Sequence, residues 1–180
     1  AETAATLLQN GKAVALYPHG MEYGPRALGA RSILASPADA SINDSLNERL
    51  SRSEFMPFAP VVAEEDANTV FHLDTPKIYA SRFMTITCDV RPEWREKIPA
   101  VVHVDGTARP QVIKRDTNPM YFDILKAFKA ASGLPVMINT SFNVHEEPII
   151  NRPEECLRAL LDGRVDAVAT DLGVYVLANA

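Results

Sequence analysis

Two arginines, Arg26 and Arg31, stand five residues apart in a stretch, Tyr23 to Ala38, that contains no acid. Gly24, Pro25 and Gly29 surround the first, and the apolar Ile33-Leu34-Ala35 follows the second. A guanidinium offers planar paired donors that fit phosphate or carboxylate. Glycines let backbone N–H groups come close to a bound anion. The chain is otherwise acidic, with a net charge of −5, so this acid-free arginine pair is not a by-product of composition. These residue types predict a phosphate-binding loop. The competing reading is two surface arginines in ordinary ion pairs, with Glu22 the nearest partner. The spacing of Gly24 and Gly29 matches a Walker A loop, but Ala30-Arg31 replaces Lys-Ser/Thr, so a P-loop is not supported.

Three further segments carry polar chemistry. Arg49 and Arg52 lie one helical turn apart at the end of a predicted helix, where a cation also offsets the helix dipole. The rigid Pro57-Phe-Ala-Pro60 that follows reads as aiming a strand rather than touching a ligand. In His103-Val-Asp-Gly-Thr-Ala-Arg109-Pro-Gln111, Gly106 and Thr107 permit close approach to a ligand and Arg109 projects from the far side of the turn. Asn139-Thr140-Ser141-Phe142-Asn143 places polar side chains at the carboxyl end of an apolar strand, where open α/β sheets bind ligands. Asn and Ser there would read carbamoyl, amide or phosphate groups without adding charge. No metal site is expected: His19, His72, His103 and His145 are scattered, with no ligand spacing among them. Gly-x-Ser-x-Gly is also absent.

The elements that must hold these segments alternate loosely between helical and strand patterns. Helices are predicted over 2–10, from 37 to Leu50, over 64–73, from 119 to 131 with Gly133 as the stop, and over 153–161. Strands are predicted over 13–17, 32–35, 58–63, 83–90, 135–138, 166–169 and 174–177, and 100–104 and 110–113 flank a hairpin at Asp105-Gly106. That mixture predicts an α/β domain with a twisted mixed sheet flanked by helices. With 180 residues, 47% of them hydrophobic, the chain can bury a substantial core as one domain over 1–180. No basic run suits nucleic acid or a membrane surface, and no spanning segment or signal peptide appears. Cys88 and Cys156 read as two reduced, packed thiols, and a cytoplasmic location is expected. The sequence opens at Ala1 without an initiating Met, which suggests a piece of a longer polypeptide.

Four of its stretches resemble the C-terminal domain of the O-carbamoyltransferases, the family of the nodulation protein NodU and of the 3-hydroxymethylcephem and tobramycin carbamoyltransferases. They are Met-Glu-Tyr-Gly-Pro-Arg-Ala-Leu-Gly-Ala-Arg-Ser-Ile-Leu (21–34), Phe-Met-Pro-Phe-Ala-Pro (55–60), His-Val-Asp-Gly-Thr-Ala-Arg-Pro-Gln (103–111) and Leu-Pro-Val-Met-Ile-Asn-Thr-Ser-Phe-Asn (134–143). The resemblance implies a YrdC-like fold that binds carbamoyl phosphate and ATP, with Mg²⁺ carried on the nucleotide, and forms carbamoyl-adenylate. A separate N-terminal ASKHA-type domain, with iron, would pass the carbamoyl group to an acceptor hydroxyl. Nothing in residues 1–180 looks like that domain. By the same resemblance Arg26, Arg31 and Arg109 would clamp phosphate, with Arg52 a fourth. Asn139 and Ser141 would hold the carbamoyl group or nucleotide, helped by Asn143. The chain departs from the family where His19-Gly20 replaces Gly-Arg and where Met56 replaces the Arg of some members. Two other classes compete: a non-catalytic module that senses a phosphorylated metabolite, and a docking domain whose arginines serve an interface.

Overall fold

The computed structural model describes residues 1–18, 20–52 and 57–178. In chain order the elements are α1 (Glu2–Gln9), β1 (Val14–Leu16), β2 (Ser32–Ala35), α2 (Ile42–Arg49), β3 (Ala59–Ala63), α3 (Glu64–Val70) and α4 (Thr75–Ser81). There follow β4 (Cys88–Asp89), α5 (Pro92–Arg95), a 3-10 turn at Pro99–Val101, β5 (Thr107–Ala108), β6 (Gln111–Ile113), α6 (Pro119–Ser132), β7 (Val136–Ser141), α7 (Pro153–Leu161), β8 (Ala167–Thr170) and β9 (Gly173–Tyr175). Seven strands form one sheet in the order β6-β3-β7-β2-β1-β8-β9, and β4 and β5 pair by themselves. The β1–β8 and β3–β6 pairs are parallel, and the other pairs in the large sheet are antiparallel. This is the mixed α/β sheet expected from the sequence.

Each central strand is apolar on both faces, so the sheet is covered on both sides. Val14, Leu16, Leu34, Val61, Met137 and Ala169 point to one side, where they meet Leu8 of α1 and Tyr121, Leu125 and Phe128 of α6. Ala15, Ile33, Val62, Ile138 and Val168 point to the other, against Leu46 of α2, Val70 of α3 and Ala159 of α7. The alternation follows from the two-residue period of a strand. Helix α6 begins where the Asn118 side chain accepts from the Tyr121 N–H (3.1 Å) and ends at Gly133 in a left-handed conformation (φ 76°).

Several local expectations change. The 83–90 pattern yields a strand only at Cys88–Asp89, because Arg82–Met84 is a turn. Residues 100–104 are not a strand: Pro99 starts a 3-10 turn, and β5 pairs with β4 instead of with β6. The Asp105-Gly106 hairpin is therefore a tight turn in which Gly106 N donates to His103 O (2.9 Å). Helix α2 begins at Ile42, not at Pro37, and α4 forms where the sequence pattern predicts no helix. Strand β7 runs on to Ser141, so Asn139, Thr140 and Ser141 belong to the sheet itself. At the far edge β9 pairs with β8 alone among the described strands, and Leu172, Tyr175, Val176 and Leu177 around it are exposed. Among the described residues no helix is long and apolar enough to cross a membrane.

Candidate functional site

The carboxyl end of β7 opens into a cleft of about 240 Å³. Asn139, Thr140, Ser141 and Asn143 line it from the sheet, Arg26 from the loop before β2, Arg52 from the end of α2, and Arg109 from the segment before β6. Register places the strands: Ser32 faces Ser141 across β2–β7, and Ala59 faces Asn139 across β3–β7. Pro57 and Phe58, leading into β3, close one side.

Arg52 is anchored. Its Nη1 donates to Thr140 Oγ1 (2.8 Å), its Nη2 to Ser141 O (3.3 Å) and Oγ (3.4 Å), and its guanidinium stands over the Phe58 ring at 5.7 Å. Burial draws its basicity below the ordinary arginine value. Arg109 is drawn down for the same reason and also by the charge of Arg26 nearby. Among the described residues no carboxylate lies within ion-pairing distance of Arg26, Arg52 or Arg109, although Glu146 and His145 border the same cleft. Like charges held together without a counter-charge mark a place prepared for an anion.

Asn139 is 2% exposed. Its Nδ2 donates to Ala27 O (3.0 Å) and to Gln111 Oε1 (2.7 Å), while its Oδ1 is buried with no partner. Gln111 in turn donates from Nε2 to Leu28 O (2.9 Å) and accepts from the Tyr121 hydroxyl (3.2 Å). Asn143 uses its Nδ2 on the carbonyls of Val144 (3.0 Å) and Glu147 (2.8 Å). It borders a second cleft of about 200 Å³, floored by Leu50, Phe142 and Ile150 and flanked by Arg158 and Arg164.

The structure does not bring every expected residue to the cleft. Arg31 is only 3% exposed and points away: its Nη1 donates to the carbonyls of Pro18 (2.8 Å), Gly20 (2.9 Å) and Ala30 (2.9 Å), and its guanidinium lies 3.8 Å from the centre of the Tyr17 ring. It fastens the loop instead of lining the cleft. Gly106 and Thr107 also lie outside it. Gly106 turns the chain at φ 81° against the Arg95 guanidinium, and Thr107 Oγ1 donates to Asp105 Oδ1 (2.7 Å). The departures at His19 and Met56 fall outside the described residues.

Glu22 differs most from its sequence reading. It accepts no arginine side chain; its Oε1 takes the backbone N–H groups of Leu28 (2.6 Å), Ala30 (2.6 Å) and Arg31 (3.1 Å). The loop amides expected to meet a bound anion are filled from within. Thr140 and Gln111 also serve the cleft, the first accepting from Arg52 and the second from Asn139, and nothing in the motifs themselves names these partners. Cys88 and Cys156 are buried thiols, pushed up to about 12 and about 11, the first also by the charge of Asp89. Neither is a nucleophile near neutral pH.

Comparison with known proteins agrees with the four motifs. The family model described as carbamoyltransferase C-terminus matches residues 5–176. An uncharacterized protein of Methanocaldococcus jannaschii is 40% identical over 168 residues, 93% of this chain and 27% of that protein. Nodulation protein NolO of Bradyrhizobium diazoefficiens is 39% identical over 169 residues, 93% of this chain and 31% of that protein. The chain thus spans between a quarter and a third of these relatives. Among solved structures, full-length HypF in its phosphate- and nucleotide-bound form superposes with TM-score 0.64 at 19% identity, over 94% of this chain and 26% of HypF. A P. abyssi Sua5 variant superposes with TM-score 0.60 at 13% identity, over 96% of this chain and 46% of that one. The fold is the YrdC-like one these two share, and by its motifs and the family match the chain belongs to the carbamoyltransferase C-terminal family.

Proposed function

We propose that this chain binds carbamoyl phosphate and ATP and joins them as carbamoyl-adenylate, the donor that another part of a longer O-carbamoyltransferase passes to an acceptor hydroxyl. One observation carries the reading: Arg26, Arg52 and Arg109 converge, without a described carboxylate partner, on the cleft that also receives Asn139 and Ser141. Acyl-phosphate and adenylate chemistry needs charge neutralisation and in-line placement more than a protein nucleophile. The guanidiniums supply the first. Asn139 and Ser141 line the same cleft, where uncharged amide and hydroxyl groups suit the NH₂ and C=O of a carbamoyl group. The adjoining cleft offers its apolar floor to a heterocycle, and full-length HypF, one part of which shares this fold, was crystallised in a phosphate- and nucleotide-bound form. By atom balance, making the adenylate from the two substrates consumes one water and releases phosphate and pyrophosphate. Mg²⁺ would enter on the nucleotide phosphates.

Pyrophosphate exchange into ATP, measured with and without carbamoyl phosphate and paired with titration calorimetry, tests this. Exchange that requires carbamoyl phosphate is expected. Binding of both substrates without exchange would make the chain a sensor of phosphorylated metabolites, and absence of binding would make it a docking domain.

A further inference from the structure

We propose that Glu22 is a positioning residue: by closing the base of the 22–31 loop on itself, it aims Arg26 into the cleft. This rests on the reading of the cleft as a carbamoyl phosphate site. A single Glu22 oxygen gathers the N–H groups of three residues that follow it by six, eight and nine positions. That contact draws the two limbs of the loop together and leaves Tyr23–Ala27 as its tip, with Arg26 on it. The carbonyls of the same segment are held from the sheet and from the start of α6. Asn139 takes the carbonyl of Ala27, Gln111 that of Leu28, and Asn118 that of Gly29 (3.0 Å). Gly29 N donates to Ser32 Oγ (2.9 Å). Arg31 adds a third fastening by taking the carbonyls of Pro18 and Gly20. The backbone beside Arg26 is thereby fixed relative to Asn139, which lines the cleft from β7.

The chemistry of Glu22 argues for a role beyond filling space. Its Oε2 is buried with no partner among the described residues, and its charge, after burial, helps push the Tyr121 hydroxyl well above its ordinary value. A carboxylate oxygen left so is costly, and the loop amides could have been met by a neutral acceptor. What the carboxylate adds is charge in the concavity formed by the amides of Leu28, Ala30 and Arg31, a shape that attracts anions. With that concavity filled, a ligand phosphate is left the guanidiniums of Arg26, Arg52 and Arg109.

A double-mutant cycle read by carbamoyl phosphate affinity tests the idea. Arg26→Ala is expected to weaken binding roughly 30-fold and Glu22→Ala roughly 10-fold, while the double variant falls within about 3-fold of Glu22→Ala alone, the signature of coupled sites. Glu22→Gln, which keeps an acceptor oxygen for the amides but not the charge, recovers only part of the affinity that Glu22→Ala loses. If Arg26→Ala costs its full factor in the Glu22→Ala background, the positioning role is overturned while the site stands. If Arg26→Ala alone leaves affinity unchanged, the carbamoyl phosphate reading falls and the inference with it. Should Glu22→Ala not fold, Glu22→Asp, too short to reach all three amides, carries the same cycle.

Discussion

Arg26 and Arg31 are the same residue five positions apart, yet the fold gives them opposite work. Arg26 is exposed at the cleft with no described carboxylate at ion-pairing distance, whereas Arg31 is enclosed by three carbonyls and the Tyr17 ring. Replacing Arg31 by Met removes those hydrogen bonds and leaves carbonyls without donors, at a cost on the order of 2–4 kcal/mol of stability. Denaturant unfolding should show that loss as the main effect, with a smaller fall in carbamoyl phosphate affinity as the loop that carries Arg26 loosens. Arg26→Ala should do the reverse. The sequence makes both residues legible as unusual but does not say which one turns inward. Arg31's partners come from Tyr17, Pro18 and Gly20 at the end of β1, and only the β1–β2 pairing brings them near. Gly106 and Thr107 teach the same lesson: small and polar residues beside an arginine fit a ligand loop and a self-contained turn equally well. Arg52 and Asn139, by contrast, reach the cleft where their spacing puts them, at a helix end and a strand end.

At the scale of elements, the loop before β2 depends on a close approach that only glycine permits. Gly29 sits at φ 111°, and a Cβ there would land inside the Tyr121 ring. Gly29→Ala should therefore cost on the order of 3 kcal/mol, since both the backbone conformation and the buried ring resist it. Thermal unfolding measures that cost. Helix α7 gives a pH-dependent case. The backbone N–H groups of Arg152 (2.7 Å) and Asn151 (2.9 Å) donate to the Glu155 carboxylate and hold its pKa below the ordinary glutamate value. A depressed pKa contributes stability that is present above the unfolded-state value and fades as pH falls through the lowered one. Being exposed, this contact is worth no more than about 1 kcal/mol. The stability gap between wild type and Glu155→Gln should thus be present at neutral pH and close on acidification, as followed by urea midpoints. Long periodic elements such as α6, α7 and β7 were legible because their apolar spacing and caps agree. The 83–90 and 100–104 stretches were not, since a turn occupies Arg82–Met84 in the first and a proline-started 3-10 turn takes up Ala100 and Val101 in the second.

Across the whole molecule, two apolar layers enclose a sheet whose strands are too short to reach far beyond the core. The mixed α/β class was readable from apolar runs, but strand order was not: β7 sits between β2 and β3 only because the chain returns to the middle of the sheet. The same order leaves β9 at the rim. Its outer backbone groups face away from β8, and Leu172 is 85% and Tyr175 50% exposed beside them. Unpaired edges with apolar neighbours and no blocking lysine are templates for strand addition. The colloidal behaviour of the 180-residue chain follows: its scattering should rise with protein concentration and salt, despite a net charge of −5 that opposes association at low ionic strength. Tyr175→Lys should flatten that rise without changing the cleft. In handling, then, the 180-residue chain is expected to associate through the rim at β9 once salt screens its charge.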